Sequence, residues 1–297
     1  MALFFGFGTA VYADNDLPND MTKITVRKGL ETAGNNPQET FNFEVIAKRV
    51  VEGAGTAPDI ANFSITVLAG EDEGHLDINL PAFTQVGIYE YDIKEVAGNT
   101  AGMIYDDGLR TLVILVLNDG DGGFIRVAGM RIAGGQKGDD FTLANNAFNA
   151  GSLKFKKLLA GNFVDPTDEF TVTVTLTLHD GKTLKASELQ ALGADSILIE
   201  DDKITLTYTV VGNDEFTINN IPFDMDFAIV ETNYGDYSPN IVGGSGEIEG
   251  AMNATITNTR NRDIDTGINL DNMPYLLALT FAIGGLGVVM VRRRKEH

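Results

Sequence analysis

Three residue types recur in the same order along this chain, each at a strand position that faces inward. They form two sets, Lys28 with Glu95 and Asn146, and Lys157 with Glu231 and Asn258. Burial disfavours the charged forms of both lysine and glutamate, so such a pair can hold a neutral amine beside a proton-donating acid. An asparagine carboxamide against that amine completes an acyl transfer, with nucleophile, electrophilic carbonyl and proton shuttle all present. The predicted product is a Lys–Asn isopeptide bond within each domain.

Side chains alternate between the two faces of a strand, and this alternation places each of these residues on the inward face. Leu153, Phe155 and Lys157 share one face, because side chains two apart in a strand point the same way. ITVRKGL near the start of the chain repeats this pattern around Lys28. Singly, an inward lysine snorkels or pairs with a carboxylate, and an asparagine near a domain end is a turn residue. The ordered repeat favours the chemical interpretation.

Composition indicates an all-β exported protein. Strand-like runs rich in Thr, Val, Ile, Phe and Tyr are separated by Gly, Asn and Asp, which is typical of antiparallel β-sandwiches. The net charge of −20 argues against nucleic acid as a partner. The chain has no cysteine, so disulfides and thiolate chemistry are excluded.

The repeat and the two ends of the chain predict four segments. Residues 1–13 are apolar and end at a signal-peptidase-like site, although a basic start is missing. Two β-sandwich domains are expected at 14–150 and 151–262. In the tail, 263–297, residues 273–291 form an uncharged apolar run long enough to cross a bilayer as a helix, and a basic cluster follows.

The strand patterns φ-x-φ-x-K and Y-x-Y-x-I-x-E, with an asparagine near the end of each unit, resemble the isopeptide-forming domains of Gram-positive backbone pilins of the T-antigen type. The resemblance covers nearly the whole mature chain. It implies Ig-like or collagen-adhesin-B-like sandwiches, with bonds Lys28–Asn146 and Lys157–Asn258 assisted by Glu95 and Glu231. Asn145 is the rival of Asn146 for the first bond.

Asp265-Thr266-Gly267, just before the apolar run, resembles a sortase sorting signal. The resemblance implies cleavage between Thr266 and Gly267 and transfer of the threonine carbonyl to a lysine of a neighbouring subunit. Lys137, in a Gly-rich segment, occupies the place that the family uses for this lysine. Lys48 and Lys94 are weaker rivals.

These features together predict a structural subunit of a covalently polymerised, cell-wall-anchored pilus. Its expected partners are a sortase, neighbouring pilin subunits, peptidoglycan and host surface molecules. The precursor is expected to be transiently inserted in the membrane of a Gram-positive cell. No cofactor or metal site is predicted, and no turnover enzyme.

The alternatives are a monomeric wall-anchored adhesin or minor pilin, and a surface hydrolase with His75, His179 or His297, for which no nucleophile motif is present. The sequence leaves the host ligand and the sortase class open.

Overall fold

The computed structural model describes residues 17–33, 35–132, 141–185, 189–191, 193–263 and 278–279. Nearly all of the regular structure in these ranges is β, which confirms the predicted all-β class. Two separate clusters of buried apolar side chains mark two units, one before and one after residue 150, except that Ala101 packs in the second cluster.

The first unit is built from two sheets. Its strands are β1 (Lys23–Ala33), β2 (Glu39–Gly53), β3 (Phe63–Val67), β4 (Glu73–Asn79), β5 (Gly87–Val96), β6 (Met103–Ile104), β7 (Leu109–Asn118), β8 (Phe124–Ile132) and the first half of β9 (Thr142–Ala160). One sheet has the order β3-β2-β5-β7-β8, and the other pairs β4, β1, β9 and β6. Their inner faces share one apolar core that includes Val26, Phe43 and Tyr91.

The second unit repeats the two-sheet plan. Its further strands are β10 (Phe170–Leu178), β11 (Gln190–Ala191), β12 (Ser196–Ile199), β13 (Lys203–Val210), β14 (Glu215–Pro222), β15 (Met225–Thr232), β16 (Ser238–Val242), β17 (Ser245–Glu247) and β18 (Ala251–Thr259). One sheet has the order β12-β13-β10-β15-β17, and the other pairs β11, β14, β9, β18 and β16. Within residues 182–194, the described residues contain no helix, and Gln190–Ala191 pairs with β14.

Strand β9 belongs to both units. Its first half pairs in parallel with β1, and its second half pairs in parallel with β18. The last strand of the first unit is therefore also the first strand of the second, without a linker between them.

Polar contacts also join the two units at this junction. Asn220 and Asn35 exchange two hydrogen bonds, from Asn35 N to Oδ1 and from Nδ2 to Asn35 O, each 2.8 Å long. The buried Glu39 carboxylate accepts hydrogen bonds from Thr100 at 2.6 Å and from Lys185 at 2.7 Å. Buried carboxylates are costly unless paired, and Glu39 is paired from both units.

Several predicted segments lie outside the described residues. These are the signal peptide at 1–13, the sorting motif with Thr266 and Gly267, Lys137, and nearly all of the apolar run 273–291, of which the described Ala278 and Leu279 are helical. Among the residues that are described, no helix has the length and apolarity needed to cross a membrane.

Candidate functional site: two buried lysine and asparagine pairs

The two sites have the same strand register. Lys28 pairs with Ala144 across the parallel β1–β9 ladder, and Asn146 pairs with Leu30. Lys157 pairs with Ile256 across β9–β18, and Asn258 pairs with the residue two places after the lysine. Two residues advance about 6.6 Å along a strand, and neighbouring strands lie about 4.8 Å apart. In both units, therefore, the lysine side chain has to reach diagonally across the ladder toward the asparagine.

The glutamates come from the opposite sheets. Glu95 lies on β5 and Glu231 on β15, and the buried faces of these strands look across the core at the lysine strands. Alternation places Tyr89, Tyr91 and Ile93 inward together with Glu95. Each triplet thus spans both sheets of its sandwich, with the two groups to be joined on adjacent strands of one sheet.

In the first site, Glu95 contacts both other members. Asn146 Nδ2 donates a hydrogen bond to Glu95 Oε1 at 2.6 Å. Lys28 Nζ lies 3.7 Å from Glu95 Oε2, and it donates to the carbonyl oxygens of Gly29 and Ala144 at 2.9 and 3.3 Å. The Lys28 side chain has no exposed surface. Amine, carboxyl and carboxamide therefore share one dry pocket.

Burial shifts the titration of this pair toward its neutral form. Loss of hydration lowers the pKa of Lys28 from 10.5 to about 8, although the Glu95 charge opposes the shift. The same loss of hydration raises the pKa of Glu95, against the hydrogen bond from Asn146. An aromatic ring forms one wall, with Nζ of Lys28 4.4 Å from the centroid of Phe41. The site is able to hold a neutral amine, which is the nucleophilic form.

The second site has the same members with different hydrogen bonds. Lys157 Nζ donates to Glu231 Oε1, and both side chains are about 1% exposed. The Phe170 ring centroid lies 4.0 Å from Nζ and takes the place that Phe41 has in the first site. Burial lowers the pKa of Lys157, with Glu231 opposing. Asn258 is fully buried, and neither carboxamide atom has a hydrogen-bond partner among the described residues.

The first unit matches a known family over its whole length. Residues 24–147 match the family described as the Spy0128-like isopeptide containing domain. The first unit is therefore similar to this isopeptide domain. Residues 151–260 match a family described as a domain of unknown function, DUF7601. The second unit repeats the triplet and the register of the first unit.

Relatives of the whole chain are pilins. A curated protein named "Pilin" from Streptococcus pyogenes serotype M1 is 23% identical over 304 residues, covering 89% of this chain and 88% of the relative. The crystal structure of the major pilin from Streptococcus pyogenes has a TM-score of 0.55 at 19% identity and covers 83% of this chain and 100% of that one. The major pilin T3.2 of the same species gives 0.53 at 18% identity, over 82% and 99%. The structural matches show that the fold is shared.

Family, relatives and fold agree on the class of protein. The chain with this isopeptide domain is a structural subunit of a surface pilus, as predicted, and the comparisons do not favour the adhesin alternative. Polymerisation with further pilin subunits on a Gram-positive surface follows from the same family.

Sequence patterns missed part of the first site. The backbone N–H of Asp106 donates to Asn146 Oδ1 at 2.9 Å, from the turn between β6 and β7. An Asp-Asp-Gly run before an apolar strand is a turn signature, and it could have drawn attention to this segment. The position of this turn next to Asn146 depends on tertiary packing.

The remaining predicted residues are distributed as follows. The two rivals for the intersubunit lysine are both described: Lys94 is exposed on β5, and Lys48 forms an ion pair with Asp59. The backbone of Asn145 pairs with Gly29, and its side chain is outside the described part. Asn146 is the residue whose described side chain reaches Glu95.

Proposed function

We propose that each domain of this pilus subunit closes a covalent bond between its first and last strands, Lys28–Asn146 and Lys157–Asn258. The observation that carries this proposal is the repeated geometry. In both units, a fully buried lysine and an asparagine offset by two residues on a parallel neighbour share a pocket with one glutamate. A dry ion pair alone is weak evidence for a stabilising role, because replacing it with apolar residues is often neutral.

The pocket supplies every group that the reaction needs. The lone pair of neutral Lys28 Nζ attacks Asn146 Cγ and forms the new C–N bond, while the C=O electrons move to Oδ1. Glu95 takes a proton from Nζ and passes one to Nδ2, to which it is already hydrogen bonded. The electrons on Oδ1 then re-form the C=O bond, the Cγ–Nδ2 bond breaks, and ammonia leaves. Fixed contact replaces the bimolecular encounter, which supplies a large effective molarity.

In the second domain, Asn258 gives a further reason for reaction. A buried carboxamide with no hydrogen-bond partner among the described residues costs about 1 to 3 kcal/mol for each unpaired group. Bond formation releases Nδ2 as ammonia and joins Asn258 Cγ to Lys157 Nζ, which already contacts Glu231. Each glutamate acts once, so the chain is a single-turnover system and not an enzyme.

The proposed assembly continues outside the described residues. A signal peptide at 1–13 directs export, the domains occupy 14–150 and 151–262, and an apolar helix at 273–291 holds the precursor in the membrane. A sortase cleaves between Thr266 and Gly267 and passes the threonine carbonyl to Lys137 of the next subunit, or to peptidoglycan for wall anchoring. Host surface molecules are partners of the finished fibre.

Intact mass tests the two crosslinks. The purified protein should be lighter than its sequence by two ammonia molecules, and Glu95→Ala and Glu231→Ala should each restore one. Glu90→Ala is a matched control, since Glu90 is a buried glutamate on the same strand as Glu95 but pairs with Arg49. Its mass deficit should stay at two. A wild-type chain with its full unreacted mass would defeat the proposal.

Wall extracts test the assembly. Blots should show a ladder of high-mass polymers that collapses to a single band with Lys137→Ala, because the acceptor amine is lost. Lys48→Ala serves as the control, since Lys48 is a described, partly exposed lysine of the same domain. If the ladder persists in Lys137→Ala and is lost in Lys48→Ala, the acceptor amine belongs to Lys48 instead.

A further inference from the structure

The first site contains a hydrogen-bond donor that has no counterpart among the described residues around the second site. Asp106 N–H points at Asn146 Oδ1 over 2.9 Å. In the second site, Asn258 Oδ1 has no donor among the described residues. Because a backbone N–H can only donate, it fixes the orientation of the Asn146 carboxamide, with oxygen toward Asp106 and nitrogen toward Glu95.

We propose that the Asp106 backbone N–H acts as an oxyanion donor for the Lys28–Asn146 bond, and that the Asp106–Arg110 ion pair positions it. This inference rests on the proposed isopeptide chemistry. When Nζ attacks Cγ, negative charge develops on Oδ1, the atom that the N–H already contacts. A donor within 2.7 to 3.1 Å of that oxygen, in a buried site, is the arrangement that stabilises tetrahedral intermediates.

The turn that carries this N–H is built by its own side chains. Asp106 Oδ1 accepts the Gly108 N–H at 2.6 Å, and Asp106 Oδ2 accepts from Arg110 Nη2 at 2.9 Å. Both charged side chains are about four-fifths buried. A Cβ at position 108 would lie 2.6 Å from Arg110 Nη1 and 2.7 Å from Asp106 Oδ1, so glycine leaves room for the pair. The N–H is therefore preorganised before reaction.

Arg110 also balances the charge of the turn. An isolated Asp106 carboxylate would oppose negative charge on the nearby Asn146 oxygen, since like charges repel strongly in a dry site. Asp106 acts to raise the pKa of Lys28, and Arg110 acts to lower it. Because the Asp106 and Arg110 side-chain charges offset each other, the N–H contacts Oδ1 with little net charge nearby. Asp106 and Arg110 side chains are positioning groups, whereas the Asp106 N–H touches the reacting atom.

The test compares two variants at position 106 within the full chain. Asp106→Pro deletes the N–H, and Asp106→Ala keeps the N–H while losing the carboxylate. Samples taken at intervals after induction are quenched in acid, and peptide mapping gives the bonded fraction at each site. The Lys157–Asn258 bond in the same molecule serves as the internal reference, because its bonded fraction reports how much of the protein has been synthesised and folded at each time.

We expect Asp106→Pro to slow formation of the Lys28–Asn146 bond by about 100-fold or more relative to the Lys157–Asn258 bond, which is the usual effect of losing one oxyanion donor. Asp106→Ala should slow it by less than about tenfold, and Arg110→Lys should react faster than Arg110→Ala, because a cation is restored. Equal rates for Asp106→Pro and Asp106→Ala, with both bonds forming in the wild type, would overturn the oxyanion role alone. A wild type that forms neither bond would instead defeat the proposed function.

Hydrogen exchange provides a measurement that does not depend on the proline variant folding. In unreacted Glu95→Ala, the Asp106 amide should exchange at least about tenfold more slowly than in Glu95→Ala/Asn146→Ala, which lacks the acceptor. Equal exchange in the two proteins would show that the N–H does not bind Asn146 in solution, and it would also overturn the inference.

Discussion

Asn258→Ala gives the most direct measure of what a crosslink contributes to this fold. The substitution removes the electrophile but leaves Lys157 in contact with Glu231, so no buried charge loses its partner. Lys157 and Asn258 are 101 residues apart in the chain. Releasing a closed loop of about 100 residues costs about 4 to 5 kcal/mol by the chain-entropy treatment used for disulfides.

That free energy converts into a large shift of the unfolding midpoint. A domain of this size loses roughly 4 °C per kcal/mol, so the second domain should melt roughly 15 to 20 °C lower in calorimetry. Asn253→Ala is the matched control, because Asn253 is exposed on the same strand β18. A surface change of this kind should stay within about 0.5 kcal/mol. If mass spectrometry finds the wild-type crosslink and the midpoint nevertheless falls by less than about 5 °C, the loop-closure reasoning is refuted.

Two further predictions concern the unreacted amine and the domain junction. In Asn146→Ala, Lys28 keeps its amine, whose folded pKa of about 8 lies below the ordinary 10.5. The unfolded chain then binds more protons between these values, so stability should rise with pH from 8 to 10.5 in urea titrations. The wild type, whose Lys28 nitrogen becomes an amide under the proposed crosslink, should lack this increment, and identical pH slopes would contradict the crosslink. At the junction, Asn220 has φ of 58°. Asn220→Gly should cost about 1 to 2 kcal/mol through its two lost hydrogen bonds to Asn35. Asn220→Ala should cost about 1 kcal/mol more because of the left-handed backbone. Equal midpoints for the two variants would exclude the backbone contribution.

Strand periodicity predicted much of the site. Alternation alone places Lys28 and Lys157 inward, and it places Glu95 and Glu231 at the ends of buried rows. These predictions succeed because a slip of one residue would turn every apolar side chain of the strand toward water. The inward parity of a polar residue is therefore determined by its apolar neighbours.

Pairing between distant strands could not be obtained in this way. Periodicity does not state that β1 and β18 both run parallel to β9, nor that the asparagine is offset by two residues from the partner of the lysine. Parallel register depends on the packing of two whole sheets, because no hairpin turn connects the strands. The shared strand β9, which leaves no linker between the domains, likewise emerges only from both sheets together.

The sequence by itself determined which side chains enter the two cores and the chemical types that meet there. It also determined the all-β class, because turn residues and alternating apolar runs are local signals. Only the tertiary structure decided that Asp106 donates to Asn146 in one domain while Asn258 has no donor among the described residues of the other. The physical reason is that a hydrogen bond from a turn to a strand 40 residues away depends on where the packed sheets place both groups.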